Sequence, residues 1–185
     1  MKRLPQACVF LFLSFVLYLC AIPLLHHIGP LDLGRMEAEL AAKPVDYTPK
    51  QALADRYCVV TRQNDQYHVA NEALLYRFIE KTQNGDPAVL KQAHFYDDAA
   101  TLTYCHFDGE WYYLSIRDLY PLDGTSRCQN RKYKNLFVLE EPGKSFRVIL
   151  CSEDELTIEK LRRSSASSSL KDKFSFYPLY FVFGS

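Results

Sequence analysis

The most hydrophobic part of the chain is its amino-terminal segment. After Lys2 and Arg3, residues 4–25 carry no charged side chain. A helix needs about 20 mostly apolar residues to cross the hydrocarbon core of a membrane, so the pattern predicts a single transmembrane helix, an uncleaved signal anchor, within residues 1–28. Because basic residues stay on the cytoplasmic side, Lys2 and Arg3 predict a cytoplasmic amino terminus in the cell membrane and an extracytoplasmic location for the rest of the chain.

Two alternatives remain open for this segment. Cys20 follows Leu17-Tyr18-Leu19, an arrangement that suggests acylation as in bacterial lipoproteins, although Leu19 is larger than the residue usual at that position. Cleavage by signal peptidase needs a site with two small residues, and the sequence around Leu19-Cys20-Ala21 matches it poorly. Both alternatives leave the following domain outside the cytoplasm.

Helical signals occur at two places after this segment. Residues 29–45 have few apolar positions and predict a juxtamembrane stalk, with the folded unit beginning near Tyr47. Thr48-Pro49-Lys50-Gln51 is typical of a capping box with proline at the first helical position. Farther on, apolar residues at helical spacing predict the main amphipathic helix over residues 71–83, ending at Asn84-Gly85.

The remaining hydrophobic positions favour short strands. Residues 57–61 and 66–69 predict a small hairpin. Six more strands are predicted at 89–96, 101–107, 111–117, 127–133, 136–140 and 146–151. The fold class is therefore α+β: an antiparallel β-meander in a domain over residues 46–151, with the main helix packed on one face.

The carboxyl-terminal residues 152–185 differ in character from this domain. They contain a charged helix to about Arg163, a Ser-rich spacer over residues 164–169 and an aromatic tail over residues 174–183. The tail is predicted to add a strand to the sheet or to remain disordered, and the alternative is an anchor lying in the lipid headgroup region.

Composition and charge narrow the function. The chain has 185 residues, 48% of them hydrophobic, and a formal net charge of +0. This length suits one domain with an appendage, and a chain without a basic excess is a poor partner for nucleic acid. No nucleotide-binding loop, paired CxxC or HExxH motif occurs, so no cofactor and no metal site are predicted.

Six cysteines divide between the two parts of the chain. Cys8 and Cys20 lie in the apolar segment, and four lie in the predicted outer domain: Cys58, Cys105, Cys128 and Cys151. Four cysteines in an oxidising compartment can pair in three ways. The adjacent residues Cys105 and His106 suggest a cysteine nucleophile with a histidine base. Neighbouring residues in a strand project to opposite faces, however, so the imidazole of His106 cannot reach the sulfur of Cys105 in the predicted strand.

The candidate binding surface is an aromatic face of the sheet. If Asp108-Gly109 forms a two-residue turn, His106 faces Trp111 and Tyr104 faces Tyr113. One sheet face then carries Tyr104, His106, Trp111, Tyr113 and Arg117. If exposed, this face suits a peptide, a glycan or another protein; the alternative is a set of cross-strand aromatic pairs that stiffen the sheet.

The order of several motifs resembles a known family. These motifs are Tyr47-Thr-Pro-Lys-Gln-Ala, Val59-Val60, Asn71 with Leu74-Leu75 and Phe78-Ile79, Asn84-Gly85, Phe107-Asp108-Gly109 and Arg117-Asp118. Over about residues 46–151 the chain resembles the domain of unknown function 4362 family, small secreted or lipid-anchored proteins of Gram-positive bacteria.

The resemblance carries a disulfide expectation. The family's two late cysteines correspond to Cys128 and Cys151, and closing that loop would stabilise the fold by about 3 kcal/mol. Cys58 and Cys105 then remain as a second pair or as two buried thiols. The resemblance implies no activity, because the family has none assigned.

The sequence thus predicts a membrane-anchored extracytoplasmic module that binds or interacts without catalysis. One alternative is a small envelope enzyme that uses Cys105 or a histidine site. The other is a structural envelope protein whose carboxyl-terminal tail docks to lipid.

Overall fold

A computed structural model describes residues 33–63, 66–97, 99–120, 127–141, 145–167 and 173–183. The predicted anchor at residues 1–28, with Cys8 and Cys20, lies outside these ranges. Among the residues described, no helix is both long and apolar enough to cross a membrane.

Four helices and nine strands form the described part of the chain. The helices are α1 (Leu33–Ala41), α2 (Pro49–Ala54), α3 (Ala73–Gln83) and α4 (Ile158–Ala166). The strands are β1 (Cys58–Gln63), β2 (Gln66–Ala70), β3 (Ala88–Phe95), β4 (Ala100–Phe107), β5 (Tyr112–Asp118), β6 (Cys128–Tyr133), β7 (Asn135–Glu141), β8 (Ser145–Cys151) and β9 (Phe176–Phe183).

The strands form two sheets. The larger has the order β2-β1-β3-β4-β5-β6, and the smaller has the order β7-β8-β9. Strand β3 lies parallel to β1, with Cys58 opposite Gln92, whereas the other pairs are antiparallel. The α+β class is confirmed. The sheet is mixed, and not a single antiparallel meander, because α3 carries the chain back across the sheet so that β3 runs parallel to β1.

Local sequence signals account for the helix ends. Thr48 caps α2, with its side chain accepting from the Gln51 amide and the Gln51 side chain accepting from the Thr48 amide, so the capping box is confirmed. Asn71 does not cap α3 with its side chain, which instead donates to the carbonyl of Tyr57 at 3.1 Å. Gly85 follows α3 with φ +77°, a conformation that favours glycine.

The main core lies between one face of the larger sheet, helix α3 and the smaller sheet. Leu75 and Phe78 of α3 are almost fully buried there, at 0% and 1% exposure. The sheets contribute Cys58, Val60, Leu90, Cys105, Phe107, Leu114, Tyr133, Val148, Leu150, Leu179 and Tyr180. The main helix therefore shares its sheet face with the smaller sheet.

The opposite face of the larger sheet is covered by helix α1. Met36 and Leu40 are fully buried, and α1 packs against β4, β5 and β6. Residues 33–41 therefore belong to the folded unit, whereas the prediction placed them in a stalk before it. The segment predicted to be a stalk has few apolar residues, but Met36 and Leu40 are four positions apart and form one buried stripe on the helix.

The carboxyl-terminal residues belong to the same compact unit. The aromatic tail forms β9, which pairs with β8 and places Tyr180 opposite Val148. Tyr180 is 1% exposed, and its hydroxyl donates to the Glu72 carboxylate at 2.7 Å. The predicted terminal strand is thus formed, whereas the first residues of the predicted Ser-rich spacer continue α4 as far as Ala166.

Candidate functional site

The hairpin that joins β4 to β5 has a four-residue turn. His106 lies opposite Tyr113, and Phe107 lies opposite Tyr112. The predicted two-residue turn, with His106 opposite Trp111, is therefore wrong by two positions. A shift of two positions keeps each side chain on its predicted face, because the period of a strand is two residues.

Asp108 and Gly109 build this turn. The Asp108 carboxylate accepts hydrogen bonds from the amides of Glu110 and Trp111 at 2.8 and 2.7 Å. Gly109 adopts φ +105°, which a residue with a side chain rarely adopts. Partial burial raises the pKa of the Asp108 carboxyl, but the two amide donors, the Tyr113 side chain and the nearby His106 together outweigh it and keep that pKa below its usual value. The turn is thereby held in one conformation with Trp111 at its end.

The structure buries much of the predicted aromatic face. Tyr104, His106 and Arg117 are only 4%, 6% and 8% exposed, so the condition for a binding surface, an exposed face, is not met at these three residues. Helix α1 covers this end of the sheet. Trp111 and Tyr113 lie beyond it and are half-buried.

Arg117 contacts the carboxyl-terminal end of α1. Its Nη1 atom donates to the carbonyl oxygens of Leu40, Ala41 and Lys43 at 2.6, 3.2 and 2.5 Å. These carbonyls end the helix or follow it, and a cation there satisfies them and complements the helix dipole. Arg117 is thus a capping residue for α1 in this structure.

His106 stacks on Tyr113, with ring centroids 6.2 Å apart and planes inclined by 25°. Burial lowers the pKa of His106, and the nearby Asp108 only partly offsets this. The imidazole is therefore neutral at neutral pH and acts as an aromatic support for Tyr113.

Two lysines that the sequence reasoning did not select lie over Trp111. The Nζ atoms of Lys132 and Lys134 are 4.0 and 4.6 Å from the centroid of its indole ring, and Lys132 Nζ is also 5.1 Å from the Tyr113 ring. Such distances give cation–π attraction. We call Trp111, Tyr113, Lys132 and Lys134 the Trp111 patch.

The patch adjoins an edge of the larger sheet. Strand β6 is the last strand in the sheet order. Four cationic residues in and beside it are exposed: Arg127, Arg131, Lys132 and Lys134. Arg131 lies on the other face from Lys132, with its guanidinium 5.9 Å from the Tyr177 ring. The four cations within residues 127–134 are the sequence signal that could have indicated a basic edge here.

The four described cysteines are all free thiols. Cys58 and Cys105 lie on β1 and β4 with β3 between them. Two strand spacings make about 9.5 Å, which exceeds the separation of about 7 Å beyond which a disulfide cannot form. The predicted second pair is therefore excluded by the strand order.

The predicted pair of Cys128 and Cys151 is also absent. Cys128 faces α1, with its sulfur 3.8 Å from the Glu37 carbonyl oxygen. Cys151 lies in the smaller sheet, in a cluster with Ile149, Leu156 and Leu161. The two thiols lie in different packing environments and form no disulfide with each other.

The thiols and imidazoles form no reactive pair in the described part of the chain. Burial raises the pKa of Cys58 to about 12 and raises that of Cys105 as well. Because Cys105 faces the core, His106 projects away from it on the opposite face. No group of three or more His, Cys, Asp or Glu residues that could hold a metal ion occurs among the described residues.

Comparison of the chain with known protein families, curated proteins and solved structures found no match. The resemblance to the domain of unknown function 4362 family stays a prediction.

Proposed function

We propose that the chain is a membrane-anchored, extracytoplasmic interaction module that binds an acidic, extended segment of a partner protein along β6 and the Trp111 patch. Catalysis has no part in this role. The observation that carries the proposal is the group of exposed cations in and beside the edge strand β6, of which Lys132 and Lys134 lie over Trp111.

Charge selects the kind of partner. The chain as a whole has a net charge of +0, so the cations around β6 are a local feature and not part of a general basic field. Lys134 contacts Glu110 at 3.3 Å, but these side chains are 42% and 70% exposed. Exposed pairs of this kind contribute little stability, so a partner carboxylate can replace Glu110 at small cost.

The strand edge selects an extended partner. An edge strand offers backbone donors and acceptors to an added strand, and charged side chains on it discourage pairing with unsuitable segments. Lys132 and Lys134 lie over Trp111, and Arg131 projects to the opposite face of β6, so a segment with acidic residues at alternate positions would present all of its carboxylates to the Trp111 patch. This arrangement favours an acidic strand over a folded surface.

The turn supplies an ordered aromatic contact at the end of this edge. Asp108 and Gly109 fix the backbone at Trp111, so little conformational entropy is lost there when a partner binds. Tryptophan is enriched among the residues that dominate binding energy. Trp111 would therefore be the main apolar contact for the bound segment.

The membrane location is proposed from residues 1–28. A single transmembrane helix there, with the amino terminus in the cytoplasm, would place the interaction module outside the membrane. Free thiols are compatible with an oxidising compartment here, because β3 separates Cys58 from Cys105, and Cys128 and Cys151 lie in different packing environments.

The two alternatives have less support. An enzyme that uses Cys105 needs a thiolate, and the thiol is fully buried with a raised pKa. A lipid-docking tail needs its apolar side chains at the surface, and Leu179 and Tyr180 are at most 1% exposed.

The fluorescence of Trp111 tests the proposal directly, because the chain has one tryptophan. The full chain in non-ionic detergent is titrated with a ten-residue peptide of alternating Glu and Val. A second peptide with Lys in place of Glu is the control. We expect a saturable change in emission with the acidic peptide alone, weakened as the salt rises from about 50 to about 300 mM because salt screens exposed charges.

Matched variants complete the test. Lys132→Gln with Lys134→Gln should weaken the apparent affinity by about twofold to thirtyfold, since each of the two exposed pairs is worth about 0.2–1 kcal/mol. Lys50→Gln, at an exposed position in α2, should leave it unchanged. Equal responses to both peptides, or an affinity insensitive to the double substitution, would refute the proposed function.

A further inference from the structure

Strand β7 forms an open edge of the smaller sheet. The strand order is β7-β8-β9, so β7 pairs with β8 on one side. Among the residues that the structure describes, no strand pairs with the other side of β7. An edge of this kind presents backbone donors and acceptors that serve as a template for a strand of another chain.

The middle of β7 is apolar on both of its faces. Four consecutive apolar residues lie there, all of them half-buried: Leu136, Phe137, Val138 and Leu139. Leu136 and Val138 pack against the main core, whereas Phe137 and Leu139 pack against the cluster around Ile149. Because both faces of the strand already pack within the chain, its edge is the part that remains for a partner.

The other sheet edges in the described part of the chain carry features that restrict strand pairing. Strand β2 has five residues and exposes Gln66 and His68. Strand β6 exposes Arg131 and Lys132, which disfavour an apolar strand. Strand β9 contains Pro178, which has no amide hydrogen, and its register with β8 shifts next to that residue. Short strands, charges, prolines and bulges all protect an edge, and the seven-residue β7 has none of them in its middle.

Charge selects the direction in which two copies of β7 can pair. Lys134 precedes the strand, Glu140 lies near its other end, and both residues are exposed. Parallel pairing would place Glu140 beside Glu140 of the second copy, and like charges opposite each other are destabilising. Antiparallel pairing about Phe137 instead places Lys134 opposite Glu140 of the second copy, twice by symmetry. The contact of Lys134 with Glu110 is an exposed pair of little strength, so Glu140 can replace Glu110 at small cost.

We propose that β7 is a dimerisation edge, at which a second copy of this chain pairs antiparallel with the first and joins the two smaller sheets. Strand pairing satisfies the open backbone groups of both copies. The two-fold symmetry closes the assembly at a dimer, because the same edge is used on both sides. Phe137 lies at the symmetry axis, where the two aromatic rings form a cross-strand pair.

This inference is separate from the function proposed for β6. The two surfaces share Lys134 alone, so dimerisation is measured without the acidic peptide. Sedimentation equilibrium of the full chain in density-matched non-ionic detergent measures it. We expect a reversible equilibrium between monomer and dimer, with a dissociation constant below about 100 μM.

A matched pair of substitutions distinguishes β7 from other sources of association, including the predicted anchor. Val138→Lys places a charge in the apolar middle of the pairing and should raise the dissociation constant at least about tenfold. Val69→Lys is the control, because Val69 lies on the edge strand β2 and is also half-buried against the main core. It should leave the dissociation constant unchanged. A cooperative urea transition checks that each variant is folded.

Charge exchange at exposed positions tests the direction of pairing without disturbing the core. Glu140→Lys alone and Lys134→Glu alone should each raise the dissociation constant at least about fourfold, because two attractive exposed pairs become two repulsive ones. When the two variants are mixed, each Lys134 meets Glu140 and each new lysine meets a new glutamate. We therefore expect a heterodimer about as stable as the unmodified dimer, detected by labelling one variant with a fluorophore.

Three results would overturn the proposal. The first is a full chain that stays monomeric up to about 100 μM. The second is a dimer that Val138→Lys and Val69→Lys affect equally, or that neither Val138→Lys nor Glu140→Lys weakens. The third is a mixture of the two charge variants that forms no heterodimer. Loss of the dimer with intact binding of the acidic peptide would remove this inference and leave the function proposed for β6, and the opposite result would do the reverse.

Discussion

Arg117 provides the sharpest test of how α1 is held on the sheet. It is 8% exposed, and its Nη1 atom donates to three carbonyl oxygens at the end of α1. Replacement by methionine keeps a long side chain in the same space but removes the charge and every donor. The carbonyls of Leu40, Ala41 and Lys43 would then lose this partner.

The expected loss follows from these contacts. A hydrogen bond to a charged group contributes about 1.5–3 kcal/mol, and a partly buried cation at a helix carboxyl terminus contributes up to about 2 kcal/mol. One nitrogen serves all three carbonyls, so the contributions overlap and we expect Arg117→Met to lower the free energy of unfolding by about 3 kcal/mol. The free energy of unfolding of a whole domain is about 5–15 kcal/mol.

Urea denaturation of the full chain in non-ionic detergent measures this loss. With a slope of about 2 kcal/mol per molar urea, the midpoint should fall by about 1.5 M. Arg117→Lys, which keeps the charge but not the planar fork, should give an intermediate midpoint.

Arg163→Met is the matched control. Arg163 forms an exposed pair with Glu159 at 3.5 Å, so it should change the free energy by no more than about 0.5 kcal/mol. If Arg117→Met and Arg163→Met have the same midpoint, Arg117 does not hold α1 in place and the reasoning is refuted.

Three further predictions concern the packing, the thiols and the membrane anchor. Met36→Ala and Leu40→Ala should each lower the free energy of unfolding by about 2–5 kcal/mol, since both side chains are fully buried. Leu53→Ala, at a 37% exposed position, is the control. Losses for Met36→Ala and Leu40→Ala as small as the loss for Leu53→Ala would contradict the packing of α1. Burial raises the pKa of Cys58 to about 12, whereas the thiol of the unfolded chain has a pKa near 8.5. Above about pH 8.5, therefore, only the unfolded state releases this proton. Cys58 then lowers the free energy of unfolding by about 1.4 kcal/mol per pH unit. Denaturation at about pH 7 and pH 10 should show that Cys58→Ala reduces this alkaline loss, and an unchanged difference between the two pH values would speak against it. Protease added outside bacterial protoplasts should degrade the folded domain and leave an amino-terminal epitope tag intact, and the reverse pattern would exclude the proposed orientation.

Elements with local signals were predicted well. The α2 capping box needs only Thr48 and Gln51, and both form the expected bonds. The apolar spacing of α3 also places Leu75 and Phe78 in the core. These patterns depend on residues within one or two helical turns, which a sequence displays directly.

The hairpin shows where local reasoning loses accuracy. Asp108-Gly109 was a correct turn signal, but the Asp108 carboxylate binds the amides of both Glu110 and Trp111. These side-chain bonds extend the turn to four residues. The face of each side chain was still predicted correctly, because the register moved by an even number of positions.

Long-range features were beyond the sequence patterns. Nothing near Leu40 indicates that Arg117 will bind its carbonyl 77 positions later. The distance between Cys58 and Cys105 likewise depends on the strand order, which places β3 between them. The buried aromatic face and the absent disulfides both follow from contacts between distant parts of the chain.

Hydrogen–deuterium exchange along the two edge strands tests the proposed binding mode most directly. The full chain in non-ionic detergent is measured with and without the acidic peptide of alternating Glu and Val. We predict slower exchange of the backbone amides over residues 127–134 when the peptide is bound, because an added strand protects them. Strand β2, at the opposite edge of the same sheet, should exchange at an unchanged rate. No protection over residues 127–134, or equal protection of β2, would contradict binding at β6.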